Sequence, residues 1–416
     1  MVRTKNMKLN SEKLKKVWNE LLHIEMNGNT LYFVSFTVFI IASFLKTTML
    51  TPQYFSVHIL NYIEYMTVVI LGFKWMFFSK FTIPQFIIDV FVFLFSLLAW
   101  RKTNDPQIFY MALLVLCARG MSFKQIIKWY VVLTTTLLLF TIVLAEINVI
   151  RNLTYVRGEY VRQAFGIIYP TDFAAHIFYL TLGYVYLFYK KMKIGSYILI
   201  FLFTGLLYSF TNARLDAVLL IMIVPMIFLV KKRELNNEFS ILDFSWMSTI
   251  VFAFFTFIST VFYVNTGLLS KINELISSRI SLSNEGYQKY GISLFGRHVK
   301  EHGWGGLKGF KNFQLNGQLH QYFVIDSSFA RLLLIYGVVA FVIVVIAMSY
   351  LAFRSIRQRN YILVGILFLV GLSCLIDQHI FELTYNPFLI AVCASTINIE
   401  YDKKVGKYDE SFVHIS

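Results

Sequence analysis

The sequence is dominated by recurring apolar stretches of the roughly 20 residues that an α-helix needs to cross a bilayer. Lysine and arginine are concentrated in the short segments between these stretches. Hydrophobic residues make up 57% of the chain and charged residues 15%, whereas soluble domains have about 45–50% and about 25%. We therefore predict an all-α, polytopic membrane protein.

About twelve stretches are predicted as membrane spans on this criterion. They cover residues 30–45, 55–73, 83–100, 106–118, 129–148, 172–189, 194–210, 215–230, 244–265, 328–353, 361–376 and 387–399. The sequence shows no internal repeat and no low-complexity linker. We therefore predict one transmembrane domain over residues 29–400, without a separate enzyme domain.

The positive charges predict an orientation, because lysine and arginine favour the cytoplasmic side of a membrane. More than half of the 38 lysines and arginines fall in alternate segments that include both ends of the chain. Both termini are thus predicted to be cytoplasmic, with residues 401–416 as a tail. Residues 1–28 place leucine and valine at helical spacing among lysines, which predicts a basic amphipathic helix on the inner leaflet. A solvated tail is the alternative.

Two predicted outer loops, residues 149–171 and 266–327, are longer than the others. The first carries Arg151, Arg157 and Arg162, against the topology bias of arginine, with Glu159 and Asp172 as its local anions. One guanidinium group can donate two parallel hydrogen bonds to a phosphate, and it stays charged at any relevant pH. We predict that these arginines bind a lipid-linked diphosphate; the alternative is pairing with the local carboxylates or lipid headgroups.

Further arginines are predicted to face the same site. Arg214 lies with Asp216 in a tight hairpin between two spans, where a mutual ion pair or snorkelling is the alternative. Arg279 and Arg297 of the large loop, and Asp326 at its end, are also predicted to bind the substrate.

Three histidines of the large loop, His298, His302 and His320, are candidates for a general base, because imidazole titrates near neutral pH. An uninvolved loop position is the alternative for each. His298 and His302 flank Glu301 at a spacing similar to that of zinc sites, but the HExxH order is absent, and no metal is predicted.

Other polar residues are interpreted more simply. His176, in a span, and His379, in the last outer loop with Asp377 and Glu382, are candidates for lining a cavity. The three cysteines (Cys117, Cys374 and Cys393) are predicted to be buried without a disulfide. No phosphate-binding loop is present, and the basic residues are split between both faces, so neither nucleotide nor nucleic-acid binding is predicted.

Three segments carry a resemblance to a known family. They are RQAFGIIYPTD (residues 162–172), YSFTNARL (208–215) and DSSFARLLLIYG (326–337). With the two long outer loops, they resemble the Wzy-type polysaccharide polymerases of the O-antigen ligase/polymerase superfamily. Tyr169 stands where that family commonly has histidine.

The resemblance implies a GT-C-like, metal-independent inverting glycosyltransferase of the bacterial cytoplasmic membrane that needs no cofactor. Such an enzyme polymerises undecaprenyl-diphosphate-linked oligosaccharide repeat units into capsule, exopolysaccharide or O-antigen. Donor and acceptor are both lipid-linked, and a flippase and a chain-length regulator are the implied partners. Two alternatives stay open: a ligase that transfers finished glycan to another acceptor, and a transporter of lipid-linked repeat units.

Overall fold

The computed structural model describes residues 27–236, 239–315 and 322–397 of the chain. The predicted amphipathic segment, apart from its last two residues, and the predicted tail at residues 401–416 lie outside this part. Most of the described residues are helical.

The first half of the chain contains eight helices and one β-hairpin within these described residues. They are α1 (Gly28–Lys46), α2 (Leu50–Tyr54), α3 (Val57–Phe78), α4 (Ile83–Thr103), α5 (Gln107–Cys117), α6 (Phe123–Glu146), β1 (Thr154–Arg157), β2 (Tyr160–Gln163), α7 (Pro170–Phe188) and α8 (Ile194–Thr211). The second half contains α9 (Arg214–Asn236), α10 (Ser248–Val261), α11 (Gly267–Leu275), α12 (Arg279–Tyr290), α13 (Gly306–Gln314), α14 (Ser328–Arg331), α15 (Val338–Arg357) and α16 (Tyr361–Ser373). Short 3₁₀ helices cover Tyr189–Lys191, Ile241–Met247, His379–Phe381 and Phe388–Val392.

Six helical segments of the described chain are long and apolar enough to cross a membrane. They are Gly28–Lys46, Ile83–Thr103, Phe123–Glu146, Ile194–Thr211, Ile241–Val261 and Val338–Arg357. Two shorter apolar helices, α5 and α16, and the longer helices α3, α7 and α9 occupy other stretches that the sequence predicts as spans. The protein is thus a multi-pass α-helical membrane protein.

The last predicted span, residues 387–399, does not form a long helix. The structure has only the short 3₁₀ helix Phe388–Val392 there, packed against α5 and α15. Phe388 and Ile390 are fully buried. An apolar stretch of about 10–14 residues can be satisfied by burial inside the protein as well as by lipid. The described residues 387–397 therefore do not form the long membrane-spanning helix that the sequence predicts.

The predicted span at residues 328–353 is interrupted by a π-helical turn, Leu332–Tyr336, and by Gly337. Gly337 has φ 93° and ψ 167°, a conformation essentially limited to glycine. The large loop crosses here and pairs with the freed backbone groups: Arg297 N–H donates to Ile335 O at 2.8 Å, and Val338 N–H donates to Ser293 O at 2.9 Å. These hydrogen bonds give partners to backbone groups at the interruption of the helix, and they attach the large loop to the helix.

Gly337→Ala is expected to destabilise the protein by about 2–5 kcal/mol, since it adds backbone strain to a steric clash. A Cβ at this position would lie 2.4 Å from the backbone nitrogen of Gly296 and 2.6 Å from Leu294 O. Thermal unfolding of the purified protein measures the effect. Gly205→Ala, within α8, is the matched control because its Cβ would meet nothing within 4 Å. Equal melting temperatures for the two variants would contradict the tight crossing.

The first long loop contains a β-hairpin that the all-α prediction missed. Strands β1 and β2 are antiparallel, with Tyr155 opposite Arg162 and Arg157 opposite Tyr160. Gly158 lies in the turn with φ 62°. The strands have only four residues each, which is too short for an alternating pattern to distinguish them from a loop.

The two long loops pack against each other. Tyr155 Oη donates a hydrogen bond to Trp304 O at 2.8 Å. The Tyr155 ring also contacts the rings of Phe310 and Phe313 of α13, with centroid distances of 5.2 and 5.1 Å. The packing brings together polar residues that are far apart in the sequence.

Candidate functional site

The β-hairpin places Arg157 and Arg162 on the same face. Side chains directly opposite each other in antiparallel strands point to the same side, and so do side chains two residues apart on one strand. Arg162 is opposite Tyr155, and Arg157 is two residues beyond Tyr155. Both guanidinium groups therefore extend from the side of the hairpin on which Tyr155 is buried.

The Arg162 side chain is fixed by its contacts, and one of its guanidinium nitrogens has no hydrogen-bond acceptor among the described residues. It is 4% exposed, its Nε donates to Thr211 O at 2.7 Å, and its guanidinium carbon lies 5.5 Å from the centroid of the Tyr169 ring. Its Nη2 is buried and has no hydrogen-bond partner among the described residues. A buried guanidinium donor without a partner is costly unless a ligand completes it.

The hydrogen bond to Thr211 connects the hairpin to the tight turn between α8 and α9. Asn212 makes this turn in the left-handed conformation, with φ 48°, and Arg214 follows as the first residue of α9. Arg214 is exposed. It forms no ion pair with Asp216 among the described residues, so the local pair that was one sequence-based alternative is not seen.

The electrostatic environment of Arg157 shows that four arginines are gathered. Partial burial lowers the pKa of Arg157, and the positive charges of Arg162, Arg214 and Arg279 lower it further. Such mutual repulsion is unfavourable in the free protein and is relieved when an anion binds among the charges. Arg162, Arg214 and Arg279 therefore lie near enough to Arg157 for their charges to act on it.

Arg279 connects this positive group to a group of carboxylates. Its side chain is 12% exposed, and its nitrogens lie 3.7 Å from Asp326 and 3.8 Å from Asp377. Burial by itself would lower the pKa of Arg279, but the charges of Asp326, Asp377 and Asp216 outweigh burial and raise it. Arg279 is therefore firmly cationic.

His379 extends the charged region from the other side. Its Nδ1 lies 3.3 Å from Glu382 Oε2, and its ring stacks on Tyr385 with 3.7 Å between centroids. Burial opposes protonation, but Glu382, Asp172 and Asp377 outweigh it and raise the pKa of His379 to about 9. His379 is thus protonated at neutral pH. His176 stacks on the opposite side of Tyr385, at 3.9 Å.

A cavity of about 220 Å³ adjoins Arg279 between α9, α10, α12 and α16. Its described lining is mostly apolar, with Leu219 and Phe255 among its residues, and Arg279 is its one charged member. Ser283 and Ser327 also line it. A cavity with this distribution of polarity fits a molecule that joins an apolar chain to an anionic group.

The other predicted binding residues are placed differently. Arg297 donates its guanidinium hydrogens to the carbonyl oxygens of Tyr290 and Ile292, which ties it to its own loop. Arg151 has an exposed side chain, and its backbone N–H donates to Gln53. These hydrogen bonds do not connect Arg297 or Arg151 to Arg157, Arg162, Arg214 or Arg279.

The predicted general bases lie in the second half of the large loop. His298 is exposed, and its Nδ1 is 3.1 Å from Thr103 O at the end of α4. His302 pairs through its backbone with Phe323. His320 lies outside the described residues.

Sequence reasoning also missed the largely buried ion pair between Arg331 and Glu301. Arg331 Nη1 lies 2.8 and 2.9 Å from the two carboxylate oxygens of Glu301, and Ile325 N–H donates to the same carboxylate at 2.8 Å. Arg331 also lies 3.9 Å from Asp105. The available signal was an arginine within a predicted span, because such a charge requires a partner.

These features define a class of protein: a multi-pass α-helical membrane protein with arginines and carboxylates gathered beside an apolar cavity. No protein-family model, curated protein or solved structure matches the chain.

Proposed function

We propose that the protein is an inverting glycosyltransferase that polymerises undecaprenyl-diphosphate-linked oligosaccharide repeat units. The observation that carries the proposal is the gathering of Arg157, Arg162 and Arg214 beside Arg279. In this proposal the site faces the outer side of a bacterial cytoplasmic membrane, both termini are cytoplasmic, and the fold is GT-C-like.

The leaving group of the reaction is a diphosphate attached to a polyprenyl chain. Its negative charge grows as the bond to the sugar breaks, and donors that are fixed in advance stabilise that charge without reorganising. Arg162 is such a donor, because its Nε is fixed on Thr211 O and its Nη2 is unpaired. Arg157 and Arg214 are more exposed and can close on the diphosphate when it binds.

The apolar cavity beside Arg279 suits the part of the polyprenyl chain nearest the diphosphate. Arg279 contacts the cavity and contributes to the positive field at Arg157. Holding two lipid-linked substrates in one orientation converts an encounter between molecules into an intramolecular step, which contributes much of the rate in such reactions.

The experiment uses purified full-length protein in proteoliposomes. Lipid-linked repeat units are extracted from a strain of the source organism that lacks this gene and are incubated with the protein. The expected result is a ladder of glycans whose lengths differ by one repeat unit and which remain on the lipid carrier. Deletion of the gene should leave single repeat units.

The two alternatives give other results. If the protein is a ligase, the deletion strain accumulates finished polymer on the carrier, and no ladder forms from repeat units alone. If it is a transporter, repeat units cross the proteoliposome membrane without a new glycosidic bond. Either result would contradict the proposed function.

A further inference from the structure

Asp326 lies where the charged groups of the site meet. It follows the large loop and precedes α14, and its side chain is 21% exposed and 3.7 Å from Arg279. Tyr322 Oη lies 3.4 Å from both of its carboxylate oxygens. Arg279 in turn contributes to the positive field at Arg157, so Asp326 is connected to the other arginines through Arg279.

The neighbouring carboxylates are less suited to accept a proton from a bound sugar. Glu301 is held by Arg331 and by the backbone of Ile325. Asp216 and Asp377 are 2% and 6% exposed. Of the three carboxylates around Arg279, Asp326 is the most exposed, at 21% of its side chain.

Two further observations indicate that a ligand completes this site. Asp216 Oδ1 and Arg162 Nη2 are buried and have no hydrogen-bond partner among the described residues. The apolar cavity is lined by Arg279 and by Ser327, the residue that follows Asp326. Buried polar groups without partners are typical of a site that a bound polar ligand completes.

We propose that Asp326 is the general base of the glycosyl transfer and accepts the proton of the attacking sugar hydroxyl. The hydroxyl oxygen forms a bond to the anomeric carbon of the donor, and the bond from that carbon to the diphosphate oxygen breaks. The diphosphate leaves with the bonding electron pair, and the proton passes from Asp326 to water after the transfer. This inference rests on the proposed function.

The electrostatics favour this role. Burial raises the pKa of Asp326. The negative charges of Asp377 and Glu301 raise it further, and the positive charge of Arg279 opposes the increase. A carboxylate whose pKa is raised is a stronger base at neutral pH while it is ionised. The Arg279 guanidinium, 3.7 Å away, favours its ionised form and restricts its position.

The test uses azide, a nucleophile that carries no proton and so needs no base. Asp326→Ala and Asp326→Asn proteins in proteoliposomes are expected to form polymer at least 100-fold more slowly than the unaltered protein. With sodium azide, Asp326→Ala should convert the lipid-linked repeat unit into a glycosyl azide of inverted configuration. Azide attacks the anomeric carbon and the lipid diphosphate leaves, so mass spectrometry of the glycan detects the product.

Controls distinguish a role of Asp326 as the base from a structural role. They also distinguish a failure of this assignment from a failure of the proposed function. Glu285→Ala removes a half-exposed carboxylate of α12 that pairs with Lys289 on the same helix, and this variant should polymerise at the unaltered rate without forming glycosyl azide. Azide product from Asp326→Ala shows that this variant is folded and binds its donor. Normal polymerisation by Asp326→Asn, or no azide product from Asp326→Ala, overturns the assignment of the base while leaving the polymerase intact. No ladder from the unaltered protein overturns the polymerase itself.

Discussion

Arg162→Lys is expected to lower the rate of glycan transfer by about 100-fold or more, the effect of removing one fixed donor from a developing anion. Lysine keeps the positive charge but loses the planar fork that can hold Thr211 O and a phosphate oxygen at the same time. The change therefore tests geometry instead of charge. Polymer formed from lipid-linked repeat units in proteoliposomes measures the effect.

Arg151→Lys is the matched control, because Arg151 belongs to the same loop but its side chain is exposed. Its transfer rate should stay within about twofold of the unaltered protein, since exposed charges contribute little. Unchanged polymer length and rate in Arg162→Lys would remove the diphosphate-binding role from Arg162.

Arg279→Met is expected to be the most destabilising single substitution considered, by about 3–5 kcal/mol. The change leaves Asp216, Asp326 and Asp377 in a buried group that has lost its central cation, and an uncompensated buried charge is strongly unfavourable. Thermal unfolding of the purified protein at neutral pH measures it. The protein should unfold many degrees lower than the unaltered chain.

A second substitution tests the cause of this destabilisation. Adding Asp216→Asn to Arg279→Met removes one of the carboxylates, and part of the lost stability should return if charge is responsible. Arg151→Met, at an exposed position of the first long loop, should leave the melting temperature unchanged. A melting temperature for Arg279→Met equal to that of the unaltered protein would show that the carboxylates do not depend on Arg279.

The helices were largely predictable because their cause is local in the sequence. An apolar stretch such as residues 83–100 specifies a helix wherever lipid surrounds it, and the structure has a helix over Ile83–Thr103. Residues 387–399 have the same local character, but within them Phe388 and Ile390 are fully buried by protein. Hydropathy cannot distinguish these two surroundings, since lipid chains and protein interiors are both apolar.

The site was predictable only in part. Arginine in a long predicted outer loop was the signal for Arg157, Arg162 and Arg279, and arginine at the end of a span was the signal for Arg214. The same loop signal also selected Arg151 and Arg297, which the structure places elsewhere. The pairing of Arg279 with Asp326 and Asp377 was not predicted, although both carboxylates had been named as candidates. The carboxylates beside Arg279 come from separate parts of the chain, and nothing in their local sequences distinguishes Asp377 from any other acidic loop residue.

The local sequence was enough to predict helices in a membrane. It was also enough to predict that the arginines of the outer loops need an anionic partner. Both follow from the composition of short segments and from the high free energy of exposing apolar groups to water or charges to lipid. Three features became visible only in the folded chain. Arg162, Arg214 and Arg279 lie near Arg157, and Arg279 also lies beside Asp326. Arg297, in contrast, donates to a carbonyl oxygen of its own loop. The reason is that ion pairs and cavities depend on which distant segments pack together, and that packing is a property of the whole chain.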